Sequence, residues 1–466
     1  MAVVIIVADG ARPDTLVSAM ERGIAPALSR LRDEGGMYTL TSVFPSVTGP
    51  AYAPFLMGRY PGPIGLPGLR WYDRARTTSR LPGNSRSYVG PDMRHVDSDL
   101  DRDAPTVFEM VPSSIAALNV IGRGLEPSAR LGRGLGFIAR TARTHFSGNV
   151  NGWLAIDRDI ARELADRIRS ARPDFAFAAL SGIDKTSHSE GHSSTWVDKA
   201  TQIVDWAVAR IREDAERAHL WESMHIWVVS DHGHSPVAAH EDLAGLIRDM
   251  GYRTIAHPFV YSTRGEVAVM VSGNAMAHIY LNLAKRSRPW LADLGGRWAP
   301  IRDRLLARES VDLMILPVAP GACEVHGRAR GHARMTWSHG LVSYEPFTGD
   351  PLGIGTQDRL DEMESYDVTL ASDYPDSLVQ ISHLSDSQRS GEIILSASRN
   401  WDFRARYEPI PHASSHGALH RDHMLVPLLL SRPANTRPRR TVDVMPSALR
   451  ALGVTPPKRL DGKSFL

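Results

Sequence analysis

The sequence predicts an α/β fold: a mostly parallel central sheet flanked by helices, with a smaller α+β cap lobe inserted into it. Three observations predict it. Buried strand-like runs alternate with amphipathic helical stretches through the first half of the chain. The pattern turns β-rich after about residue 260. Strand and helix signals of the first kind then resume towards the C-terminus. Residues 1–262 and 372–466 are therefore assigned to the sheet domain, and 263–371 to the inserted lobe.

Residues 2–8 are uninterruptedly apolar, as expected of a strand covered on both faces. A helix is expected over 26–34. The segment 66–103, rich in Gly, Arg, Asp and Pro, reads as a long ordered loop beside a cleft. Ile156, Ile160, Leu164 and Ile168 recur at helical spacing over 156–171, and a second amphipathic helix covers 195–215. Short buried strands fall at 175–180 and 226–230. Runs at 267–272 and 277–283 flank a Gly-Asn turn, a hairpin signal. A helix at 300–308, a strand at 311–317, a polar Gly/His/Arg segment at 323–340 and a turn at 346–355 complete the lobe. Strands are expected at 392–397 and 426–430, and a helix at 441–452 ends at Gly453.

The chain's 466 residues suffice for a large core and a smaller lobe. Its 42% hydrophobic and 23% charged content are ordinary for a globular protein. A net charge of +2 favours neither nucleic acid nor an anionic membrane surface. Cys323 is the single cysteine, which excludes an internal disulfide and a multi-thiolate zinc site and leaves N and O donors for any metal. The first apolar run meets Asp9 without a basic leader or cleavage site, and no apolar stretch approaches the ~20 residues of a membrane span. These features give the expectation of a soluble, cytoplasmic protein.

Metal-type ligands stand where the buried runs stop. Asp9 ends the first strand, and Asp231 and His232 follow the strand at 226–230. Asp184 and His188 follow the strand at 175–180, at a spacing that puts both on one helical face. Ligands bind beyond the carboxyl ends of strands in open α/β sheets, so residues far apart in sequence can meet there. Taken singly, an Asp after a strand more often caps a turn, and a surface His needs no metal. His192 and His234 could each be a ligand, but each is read first as supporting or solvent-facing. Among His412, His416, His420 and His423, spacing alone selects none.

Thr48 lies between Pro45 and Pro50, ahead of a plausible helix start at 51–57. The free amides of that turn, Gly49 included, could receive a phosphoryl oxygen, and a divalent ion on the hydroxyl would remove its proton without a nearby base. Without metal residues nearby, a Thr here would simply cap a helix.

Taken together, Asp9, Pro-Ser-Val-Thr48-Gly-Pro, Asp184/His188, Asp231-His232-Gly and Ser-His416-Gly resemble the ordered signature of the alkaline phosphatase superfamily. The closest branch is the type I phosphodiesterase/nucleotide pyrophosphatase family. The resemblance spans most of the chain and includes Thr441-Val442-Asp443 and Asp461-Gly462-Lys463-Ser464 near its end. It implies an alkaline phosphatase-like catalytic core and two divalent ions: zinc, or else manganese or magnesium. Asp184, His188 and His416 would hold one ion; Asp9, Asp231, His232 and the Thr48 oxygen would hold the other. The implied chemistry is in-line attack by Thr48 on phosphorus, followed by hydrolysis of the phospho-threonine. The implied partner is a small phosphate ester or nucleotide-like substrate.

Two departures stand out. Nucleotide pyrophosphatases carry a phosphate-holding Asn at a position that falls at or near Leu69 here, and its loss weighs against a nucleotide substrate. Arg70 could supply a charge-assisted contact in its place. Lys185-Thr186-Ser187 lacks the Gly that usually precedes the second ligand. A phosphomonoesterase or phosphonate hydrolase would use the same metal site. A sulfatase is disfavoured because Cys323 is remote from position 48, and phosphoglycerate mutases use Ser. A catalytically silent, metal-stabilised binding protein need not retain the nucleophile.

Overall fold

The structure is a computed structural model that describes residues 1–75, 83–257, 264–404 and 411–466. Its central sheet comprises β1 (Ala2–Ala8), β2 (Met37–Thr41), β3 (Ser114–Ala117), β4 (Arg130–Leu131), β5 (Phe175–Leu180), β6 (Met224–Val229) and β7 (Leu425–Leu430). They lie in the order β2-β7-β6-β1-β5-β3-β4. β7 runs antiparallel to β2 and β6, and the remaining pairs are parallel.

β1 has no polar face to offer water, and it sits at the sheet's centre. Val3, Ile5 and Val7 point into one apolar core with Tyr52, Phe55, Phe177 and Trp227. Val4, Ile6 and Ala8 point into the other, which is closed by the helices Val150–Ala171 and Thr195–Arg217. Burying each large side chain contributes roughly 2 kcal/mol. The two faces together fix the register, because a one-residue slip would exchange the two sets of side chains.

That register positions the functional residues. Ala8 stands opposite Leu180 and Val7 opposite Val229, so Asp9, the segment after Leu180 and Asp231 emerge side by side. β2 ends at the same rim and delivers Ser42–Thr48. β7 begins there, Thr41 facing Leu425, and brings the preceding 416–424 segment with it. Five distant stretches thus reach one edge of one sheet.

A second, nine-stranded sheet is antiparallel except where Thr254–Ala256 pairs with Val267–Ser272. It takes strands from both sides of 263–371: Thr254–Ala256 precedes that range, and Ile393–Ala397, which read as a strand of the central sheet, pairs here with Met276–Leu281 and Val311–Ala319. The expected hairpin forms from Val267–Ser272 and Met276–Leu281. The polar segment at 323–340 forms strands Ala322–Gly327 and Gly331–Ser338, and the expected turn at 346–355 begins inside strand Leu341–Gly349. The segment 66–103 holds a small hairpin, Arg70–Tyr72 with Ser85–Ser87. Residues 76–82 of that segment, and position 263 at the expected start of the lobe, lie outside the described residues. Among the described residues no helix is long and apolar enough to cross a membrane.

Candidate metal centre

Asp9, Asp231 and His232 form one cluster, and Asp184, His232, His234 and His416 form another. Within each cluster, one potential ligand atom per residue lies within 4.8 Å of every other. All of these residues are buried.

In the first cluster the Thr48 Oγ1 lies 3.2 Å from His232 Nε2 and 3.3 Å from Asp9 Oδ1. Tyr52 donates its hydroxyl to Asp9 Oδ2 at 3.2 Å. Asp231 Oδ1 accepts the Gly10 amide at 3.2 Å, while its buried Oδ2 has no hydrogen-bond partner. Burial and the charge of Asp9 push the Asp231 carboxyl up to about 8. Burial opposes charging of His232, but Asp231 and Asp9 outweigh it and raise the imidazole to about 9. Both shifts answer the crowding of two buried carboxylates, a crowding that a bound cation would relieve.

In the second cluster Asp184 stands on the helix Gly182–Glu190, whose start is held by Asp157 accepting the Gly182 and Ser181 amides. Lys185 Nζ occupies Asp184 Oδ2 at 2.7 Å. Asp184 Oδ1 faces three imidazole Nε2 atoms: His234 at 2.9 Å, His188 at 3.2 Å and His416 at 3.5 Å. Burial alone would raise the Asp184 carboxyl, but the charges of Lys185 and His188 and the hydrogen bonds of His188 and His234 hold it well below the carboxylate range. His416 is held well below the usual imidazole range by burial and by His232.

The backbone settles the imidazole tautomers. His188 Nδ1 lies 2.9 Å from the Ser414 carbonyl, His416 Nδ1 3.0 Å from that of Ser46, and His232 Nδ1 3.1 Å from that of Gly233. A carbonyl can only accept, so each Nδ1 carries a proton and each Nε2 is the nitrogen turned inward, with a lone pair free for a metal once any proton there is displaced. Imidazole lone pairs aimed at carboxylate oxygens, each imidazole held from behind, are what metal-ligating histidines require. Donors about 2.1 Å from a common divalent ion stand roughly 3.0–3.4 Å apart. The observed separations and the unpartnered Asp231 Oδ2 fit two divalent ions bound by N and O ligands.

The structure brings Asp9, Thr48, Asp184, His188, Asp231, His232 and His416 together, and of the four late histidines His416 is the one that joins a candidate metal cluster. His423 spends both nitrogens, on the Ala418 amide and Ser235 Oγ. His420 faces Asp422, and His412 contacts Asn274. Of the turn amides, those of Ala51 and Tyr52 are committed to the Val47 and Gly49 carbonyls. Gly49 has φ +97, and a side chain there would meet the Tyr88 ring. Arg70 stands on the hairpin, and its charge, with those of Lys185 and His188, helps burial depress His145 to about 4. His192 is half-buried near Arg12 and Asp14, outside both clusters.

His234, for which ligand, supporting and solvent-facing roles were all open, is fully buried against Asp184, so it does not face solvent. The signal was present in Asp-His-Gly-His: in an extended chain, residues two apart face the same way.

Residues 3–304 match the family described as Type I phosphodiesterase / nucleotide pyrophosphatase, and the chain belongs to that family. It is similar in fold to phosphonoacetate hydrolase from Sinorhizobium meliloti 1021 solved with phosphonoacetate (15% identity, 97% of this chain and 95% of that one, TM-score 0.58). It is also similar to human ectonucleotide pyrophosphatase / phosphodiesterase 5 (14%, 99% and 97%, TM-score 0.60). A third similar structure is an inactive Thr-to-Ala variant of the murine counterpart in complex with AMP (14%, 99% and 97%, TM-score 0.57). A sequence search of curated proteins gave no match.

Proposed function

We propose that this chain is a two-metal phosphodiesterase or pyrophosphatase that works through a covalent phospho-threonine at Thr48. One observation carries the reading: a partly exposed hydroxyl stands between Asp9 and His232, next to a second cluster gathered on Asp184. Asp9, Asp231 and His232 would hold one ion, and Asp184, His188 and His416 the other, zinc being the first candidate and manganese or magnesium the alternatives. Bound there, divalent ions lower the pKa of a coordinated hydroxyl or water and offset charge developing on phosphoryl oxygens.

The chain's own residues do the rest. Thr48 Oγ1 loses its proton to solvent water and attacks phosphorus, forming the Oγ1–P bond as the bond to the leaving oxygen breaks in line, and the leaving oxygen takes a proton from water. The Thr48 and Gly49 amides can meet a phosphoryl oxygen, and Arg70 offers a charge for a second one. Water then attacks the phospho-threonine from the side of Asp184, returning the Thr48 hydroxyl and releasing the second product.

A phosphonate hydrolase is the second reading. At or near the position where nucleotide pyrophosphatases carry an Asn, Leu69 packs its apolar side chain against the core and gives its amide to Ser272 Oγ at 2.9 Å. The likeness to a phosphonoacetate hydrolase supports it. Initial rates on bis(p-nitrophenyl) phosphate, p-nitrophenyl phosphate and phosphonoacetate, with zinc or manganese supplied, separate the readings. The diester should be preferred. Hydrolysis of phosphonoacetate alone would transfer the assignment to the second reading, and turnover of none would support a silent binding protein.

A further inference from the structure

We propose that His234 is a direct ligand of the ion held at Asp184, giving that site one carboxylate and three imidazoles. The inference rests on the two-metal reading above and adds a residue to it. His234 Nε2 lies 2.9 Å from Asp184 Oδ1, closer than His188 at 3.2 Å or His416 at 3.5 Å. Its other nitrogen, Nδ1, lies 3.1 Å from Ser414 Oγ. Ser414 Oγ donates its own proton to the Ser235 carbonyl at 2.9 Å, so it accepts from Nδ1–H. With Nδ1 spent on Ser414, Nε2 is the nitrogen turned to the carboxylate oxygen. Two buried atoms this close share a cation, either a proton on Nε2 or the ion that would displace it.

The surroundings hold the ring in that position. Gly10 has φ +77, and a Cβ there would lie 2.8 Å from His234 Nε2 and 3.0 Å from the Asp184 Cα. Arg12 Nη1 donates to the His234 carbonyl at 2.5 Å and anchors its backbone. The antiparallel bridge of Ser414 to Pro236 and Ser415 to Ser235 carries His234 and His416 to the same rim. Their ring centroids are 5.1 Å apart, and that of His188 is 5.0 Å from His234.

Two consequences follow for the chemistry. A divalent ion with Asp184 and three neutral imidazoles keeps a positive charge, whereas two carboxylates, Asp9 and Asp231, neutralise the other. The Asp184 side is then the more electrophilic, suited to drawing in water or a phosphoryl oxygen. Asp184, His188, His234 and His416 would supply four protein donors to such an ion, the number a structural zinc site uses, so substrate or water there would come as an additional ligand. That favours metals tolerant of imidazole-rich, five-coordinate surroundings.

The test measures metal binding, not turnover. Wild type and His234→Met are stripped and titrated with zinc against a chromophoric chelator, and their cobalt-loaded visible spectra are compared. The proposal expects two ions on the wild type. In the variant, one should weaken about tenfold or more, with a changed cobalt spectrum, while the other holds its affinity. Two ions bound by the variant with unchanged affinities and spectrum would overturn the proposal and leave the two-metal reading standing. A wild type that binds no ion would overturn both. A crystal of the zinc-loaded wild type tests the same point without a variant: a His234 Nε2–Zn distance of about 2.1 Å supports it, and one beyond about 3 Å sinks it.

Discussion

The Thr48 hydroxyl and the His232 imidazole, 184 positions apart in sequence, stand 3.2 Å from each other. Nothing local in either segment demands this. β2 delivers Thr48 to the rim where β6 releases Asp231 and His232, and parallel pairing about β1 sets the two exits side by side. The loop with the proposed nucleophile and the loop with the proposed ligands are thus held by a sheet buried on both faces, which suits a site that must be preorganised.

The Asp231→Asn variant should separate stability from function. Burial and the neighbouring Asp9 push the Asp231 carboxyl up to about 8, and its Oδ2 has no hydrogen-bond partner. An amide removes the like charge and keeps an acceptor for the Gly10 amide. The metal-free variant should therefore be more stable than metal-free wild type, by on the order of 1 kcal/mol. It should also lose most of the stabilisation that zinc confers, which is about 2.7 kcal/mol for a ligand present at a hundred times its Kd. Thermal unfolding of both proteins, with and without zinc, measures both effects. A less stable metal-free variant would contradict the charge argument.

Gly10→Ala should damage the site from behind. The substitution strains a residue at φ +77 and drives a Cβ to 2.8 Å from His234 Nε2. Left-handed strain costs about 1–2 kcal/mol and overpacking a further 1–3. A denaturation midpoint lowered accordingly, with weaker zinc binding, is the expected result. Wild-type stability and affinity would show that the close approach is relieved at little cost.

His278 predicts a pH dependence remote from the metals. Its Nε2–H donates to the Pro67 carbonyl at 2.8 Å, and its Nδ1 accepts the Gly391 amide at 3.2 Å. Burial holds this imidazole down to about 4, below its ordinary 6.5. A base with a depressed folded-state pKa stabilises the fold above 6.5, and that contribution is lost as pH falls through about 4. The loss has a ceiling of roughly 3 kcal/mol. His278→Gln should be less stable at pH 7 yet show a shallower decline between pH 6.5 and 4, as read from urea midpoints at each pH. Equal slopes in variant and wild type would remove His278 from the account.

The sequence made the strand ends legible because a run without polar periodicity must be buried, and a charged residue closing it must emerge at a rim. Asp9, Asp231 and His232 were visible in this way, and the four-residue spacing exposed Asp184 and His188. His416 was selected only by family resemblance, since its neighbours differ from it in tertiary contacts rather than in spacing. The sequence left His234 between a ligand, a supporting and a solvent-facing role, because its partner Ser414 lies 180 residues away. Strand Ile393–Ala397 read as part of the central sheet because a buried strand looks the same in either sheet. The strands Gly331–Ser338 and Leu341–Gly349 are only partly buried and carry polar residues, and Pro346 sits beside a register shift, so local signals indicated loop and turn.

The covalent intermediate tests the central claim most directly. Zinc-loaded enzyme is mixed with bis(p-nitrophenyl) phosphate, quenched in acid within the first turnovers, digested and examined by mass spectrometry. The account predicts a p-nitrophenylphosphoryl adduct on Thr48, absent from Thr48→Ala, which should lose turnover while still binding two ions. Sustained hydrolysis by Thr48→Ala, or an adduct on another side chain, would contradict it.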